Sequence, residues 1–76
     1  MIEKEICEMV ELQLGKRDVQ PNDRLVEDLG AESADVANLV ARAEERYGVF
    51  IKESEIARIF TPADLLDIVQ QKLNEA

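Results

Sequence analysis

Apolar residues at Ile2, Ile6, Met9, Val10 and Leu14 recur at spacings of three and four, with Glu3, Glu5, Glu8 and Glu11 between them. That spacing predicts an amphipathic helix with one buried stripe, stopped at Gly15. From Lys16 to Glu32 the periodicity fades and Pro21, Asn22, Asp23 and Gly30 appear. This stretch reads as a long ordered loop pinned inward by Val19, Leu25, Val26 and Leu29. A second helix is predicted from Ser33 to Tyr47, with Val36, Leu39, Val40, Ala43 and Tyr47 on one face and Asp35, Asn38, Arg42 and Glu45 on the other. Gly48 ends it. Val49, Phe50 and Ile51 are β-like, but no second such run exists to pair with them, so they read as a linker anchored in the core. Ser54 to Phe60 suggests a short helical turn or two. Thr61, Pro62 and Asp64 then make a helix start, with Phe60 placed to staple onto Leu65. The final helix turns Leu65, Leu66, Ile68, Val69 and Leu73 inward. The expected fold is all-α, an irregular four-helix bundle of three main helices and one short one, formed by a single domain over residues 1–76.

Composition narrows the chemistry. The 76-residue chain has no histidine and one cysteine. Nucleophilic triads that need histidine are therefore impossible, and no zinc site can be completed within the chain. Cys7 lies beside the apolar stripe of its helix and reads as a packing residue. Seventeen acidic against nine basic residues give a formal charge of −8. Such a field disfavours nucleic acid and anionic membranes and steers toward basic protein patches. No apolar run is long enough to span a membrane, and the N-terminus lacks the order of a signal peptide, so a cytoplasmic monomer is expected.

The most informative stretch is Asp28, Leu29, Gly30, Ala31, Glu32, Ser33. Gly30 allows a tight backbone path and Leu29 anchors it, leaving Ser33 at the edge of the second helix, where unpaired N–H groups and the helix dipole favour a phosphate ester. Read from the residues alone, an ordinary N-cap is the commonest reason for a serine in this setting, and it is the reading the residues favour.

Together with Glu27, this stretch resembles the signature of the acyl carrier proteins, a family of small acidic four-helix bundles in which an Asp-Ser-Leu motif preceded by Leu-Gly carries 4′-phosphopantetheine on the serine. The likeness runs from Ile2 to about Leu73 and includes Glu44, Glu45, Tyr47 and Gly48. It implies a carrier, not an enzyme. Ser33 would bear the cofactor covalently, placed there by a phosphopantetheinyl transferase, and the terminal thiol would hold acyl intermediates as thioesters. Acyl-transfer and synthase enzymes with basic docking patches would then meet Asp28, Glu32, Asp35, Glu44 and Glu45. The pathway implied is fatty-acid synthesis or a specialised lipid or polyketide route; a peptidyl or aminoacyl carrier, or an unmodified helical adaptor of the same fold, are the alternatives. The chain departs from the family pattern at several positions. Glu32 replaces aspartate, Ala34 replaces leucine, Asn38 stands where glutamate is usual, and Arg42 and Arg46 interrupt the acidic stripe. Ala34, Ala37, Ala41 and Ala43 are smaller than usual, so a channel beside the second helix is expected.

Overall fold

The computed structural model describes residues 1–75. The order of elements is α1 (Ile2–Leu14), α2 (Ser33–Tyr47), α3 (Glu53–Ile56) and α4 (Pro62–Glu75). Of the stripe predicted for α1, Ile6, Met9 and Val10 are buried against α2 and α4, joined by Cys7 beside it, while Ile2 and Leu14 are partly buried at its ends. Both α1 and α2 end where a glycine can take a left-handed conformation: Gly15 at φ 64° donates to Glu11 O, and Gly48 at φ 66° donates to Glu44 O. A side chain at either place would be strained.

Leu39, Val40 and Ala43 of α2 and Leu65, Leu66 and Val69 of α4 close the core from the other sides. Several inward expectations fail. Phe60 is 64% exposed, because its carbonyl is committed to the Leu25 N–H at 2.8 Å and its ring is left facing solvent. The predicted Thr61–Asp64 start of α4 does form, as a capping box. The Asp64 N–H donates to Thr61 Oγ1 at 3.2 Å, while Asp64 Oδ2 accepts the Thr61 N–H at 3.0 Å. Val26 and Phe50 are also exposed, and Leu73 sits on the last turns of α4, beyond Val69, where the fully buried stripe ends. Val49 and Ile51 do anchor the linker, Ile51 within the core and Val49 packed against it.

The 18 residues between α1 and α2, Gly15 to Glu32, are ordered by their own hydrogen bonds. The Val19 N–H donates to Glu11 Oε2 (3.0 Å), and the Ala63 N–H donates to Pro21 O (2.9 Å), tying the loop to α1 and α4. From Arg24 to Gly30 it coils into helical turns, with Asp28 N–H to Arg24 O and Gly30 N–H to Val26 O. Val19, Leu25 and Ala31 are buried beneath it.

The alanines of α2 open no channel into the core; of them, Ala41 borders a groove between α1 and α2 that is open to solvent. Ala34, Ala37 and Ala41 are exposed, whereas Ala43 is fully buried. Helical spacing explains this, since positions 34, 37 and 41 fall on one face and 43 on the face with Leu39 and Val40. Ala43→Leu is therefore expected to overpack the core and cost about 1–3 kcal/mol, while Ala37→Leu stays within ~0.5 kcal/mol of the parent. Thermal melts of the two variants check this; equal melting temperatures would contradict the packing described.

Candidate functional site

The chain has three aliphatic hydroxyls: Ser33, Ser54 and Thr61. Thr61 is used as a helix cap. Ser54 sits in a helix of four residues. Ser33 is the first residue of the 15-residue α2, exposed, and its hydroxyl makes no hydrogen bond among the described residues. The N-cap is Glu32, in extended conformation at φ −103° and ψ 169°. This excludes the ordinary capping role for Ser33. The cap's work is done by Asp35, whose Oδ2 accepts the Glu32 N–H at 2.9 Å. Ser33 is thus left with a free hydroxyl at the positive end of a helix dipole.

The turn before Ser33 is fixed by the loop. The Ala31 N–H donates to Leu25 O at 2.8 Å, Ala31 is buried, and Gly30 takes φ 72°, which leaves Glu32 and Ser33 turned outward.

The five acidic residues expected to meet partners divide into two sets. Asp28 holds a salt bridge to Arg24 Nη2 at 3.1 Å and also accepts the Arg24 N–H. Asp35 accepts from Glu32 and from Gln13 Nε2 (3.1 Å). Glu44 is half-buried and accepts the Ile51 N–H at 2.9 Å, fastening the linker after α2. Glu32 and Glu45 are exposed. Glu45 borders an open groove of about 800 Å³ between α1 and α2, lined also by Met9, Leu12, Asn38 and Arg42. No sequence signal singled out Gln13 as the partner of Asp35, since a polar residue in a helix's last turn is ordinarily solvent-facing.

Hydrogen bonds from Arg24 hold the Asp28 carboxyl below its ordinary range, those from Glu32 and Gln13 do the same for Asp35, and those from Lys52 and Lys72 for Glu55. A carboxyl more acidic in the folded than in the unfolded chain stabilises the fold above its unfolded value, and that stabilisation is lost as pH falls through the lowered folded value. The melting temperature is therefore expected to hold from neutral pH down to about pH 5 and to decline below about pH 4, modestly because these carboxylates are exposed. Asp35→Asn should shallow that fall in a melt-against-pH series, and an unchanged profile would contradict the assignment.

Residues 4–69 match the sequence profile described as the phosphopantetheine attachment site. The chain belongs to the acyl carrier protein family. It is 34% identical over 73 residues to an acyl carrier protein of Nitratidesulfovibrio vulgaris, covering 93% of this chain and 96% of that one. Among solved structures, an acyl carrier protein from Thermotoga maritima superposes with a TM-score of 0.82 at 33% identity, covering 97% of this chain and 88% of the other. One from Mycobacterium tuberculosis assigned to the same class superposes with a TM-score of 0.88 at 25% identity, covering 93% and 97%. Acyl carrier proteins carry covalent 4′-phosphopantetheine and are carriers rather than catalysts. They meet a phosphopantetheinyl transferase and synthases in general. No helix among the described residues is long and apolar enough to cross a membrane.

Proposed function

We propose that this chain carries acyl groups as thioesters on 4′-phosphopantetheine attached to Ser33 Oγ. The observation that carries the reading is the position of Ser33, an exposed helix-start hydroxyl relieved of any capping duty by the Glu32–Asp35 pair. Ser33 fits the group. An ester phosphate there meets unpaired N–H groups of the first turn of α2, and the bundle offers no wall against it. When bound, the group supplies a thiol on a flexible arm, which raises the acyl group's local concentration at each docked enzyme. The protein's own residues hold the attachment point still. Leu25 and Ala31 pin the approach, Asp35 fixes the cap, and the α2 dipole stabilises the negative charge. Treatment with a broad-specificity transferase and coenzyme A, followed by intact mass, tests the reading directly.

Partner enzymes would approach along α2 with basic patches, and Glu32 and Glu45, exposed and in none of the ion pairs or tertiary hydrogen bonds that occupy Asp28, Asp35 and Glu44, are the acids we assign to them first. Asp28, Asp35 and Glu44 contribute field while serving the fold. From Glu32 to Tyr47 four acids are offset by two arginines, so the salt dependence of docking should be shallow. Glu45→Gln is expected to weaken transferase binding about two- to fivefold at low salt with no loss of stability. Glu44→Gln should instead lower the melting temperature. Binding titrations at two salt concentrations, with melts of both variants, check the division; the reverse pattern would overturn it.

A further inference from the structure

Two polar clasps join α1 to α2, one at each end of the seam. At the far end from Ser33, the Tyr47 hydroxyl donates to Glu5 Oε1 at 2.8 Å, and Arg46 Nε lies 3.5 Å from the same oxygen. At the near end, Gln13 Nε2 donates to Asp35 Oδ1 at 3.1 Å, while the other oxygen of Asp35 accepts the Glu32 N–H. Gln13 is half-buried and next to last in α1. The near clasp therefore links α1, through one carboxylate, to the N–H of Glu32, the residue immediately before Ser33.

We propose that Gln13 is a positioning residue for the modification of Ser33, acting through Asp35. The proposal rests on Ser33 being the attachment site. Asp35 can cap Glu32 only while its carboxylate is turned back toward the loop, and Gln13 holds the free oxygen in that orientation. Without Gln13 the carboxylate can rotate to solvent, the Glu32 N–H loses its acceptor, and the turn presenting Ser33 loosens. A transfer reaction that needs the hydroxyl in line is slowed by such loosening through turnover more than through binding. An amide is suited to the task because it orients the carboxylate without neutralising it. A lysine at position 13 would cancel the charge. The groove that Gln13 borders also carries Arg42, Glu45 and Arg46 from α2, so the clasp sits in a field of mixed sign.

The test uses the 76-residue chain unmodified and during loading, with a broad-specificity phosphopantetheinyl transferase and coenzyme A as probes. In the unmodified protein, Gln13→Met keeps side-chain length but removes the donor, and is expected to speed hydrogen exchange of the Glu32 amide about tenfold. The same variant should lower the turnover of loading about fivefold with KM unchanged. Tyr47→Phe removes the hydrogen bond of the clasp at the opposite end of the same helix pair, leaving Arg46 beside Glu5, and controls for loss of stability. It should melt earlier than the parent yet keep parental exchange at Glu32 and parental loading. Gln13→Glu places two carboxylates together; near pH 8 they repel, and toward about pH 5 one takes a proton and can again donate to the other. The ratio of its loading rate to the parent's is therefore expected to climb as pH falls, a ratio in which the transferase's own pH dependence cancels. Parental Glu32 exchange in Gln13→Met, or a ratio that stays flat with pH, overturns the proposal. A parent that fails to load at all counts against Ser33 as the attachment site, and the exchange measurement then still decides the role of Gln13.

Discussion

Ser33→Ala is expected to leave the bundle standing and remove cofactor loading completely. The hydroxyl takes part in no hydrogen bond among the described residues, and the cap of α2 belongs to Glu32 and Asp35. The substitution therefore removes neither packing nor capping, and alanine is a good helix former at an exposed first-turn position. The stability change should fall within ~0.5 kcal/mol, less than the ~0.5–2 kcal/mol that a serine N-cap would represent. Circular dichroism melts of parent and variant should overlay. Loading read by intact mass should go from complete to none, since the other aliphatic hydroxyls are a helix cap at Thr61 and a residue of a four-residue helix at Ser54. A variant that still loads, or one that melts well below the parent, would remove the basis for placing the cofactor on Ser33.

The second large effect is expected at Leu25, far from any helix stripe. Its side chain is 1% exposed, its N–H donates to Phe60 O and its carbonyl accepts the Ala31 N–H, each at 2.8 Å. It joins the turn before Ser33 to the segment leading into α4. Leu25→Ala leaves a cavity that neighbouring loop backbone, tied at both Arg24 and Ala31, cannot collapse to fill. The expected cost is about 2–5 kcal/mol. A core of this size supplies only about 3–5 kcal/mol, so the variant should be largely unfolded at physiological temperature. Urea unfolding with an unchanged slope and a much lower midpoint would show it. A midpoint near the parent's would mean that the loop is a passive connection.

Helices α1, α2 and α4 could be read from the chain because their apolar residues repeat at helical spacing and their ends carry strong stop or start signals, Gly15, Gly48 and the Thr61–Asp64 pair. The segment proposed for attachment stood out for a different reason: Gly30, Ala31 and Ser33 match a family pattern as well as a backbone logic. What hydrophobicity could not supply was direction outside the helices. Val26, Phe50 and Phe60 are as apolar as Val19 or Leu25, yet they are exposed, because in irregular backbone the facing of a side chain follows from hydrogen bonds such as Leu25 N–H to Phe60 O. Charge was misleading in a related way. Asp28, Asp35 and Glu44 read as free acids, but backbone and amide donors claim them, and only tertiary placement brings Gln13 to Asp35 across 22 residues of chain.

The assignment of Ser33 as the carrier's attachment point is tested most directly by locating the modification on the parent protein. After incubation with a broad-specificity phosphopantetheinyl transferase and coenzyme A, intact mass should show one addition per chain, and fragmentation should place it on Ser33. No addition to the folded protein, or an addition placed on Ser54 or Thr61, contradicts the account.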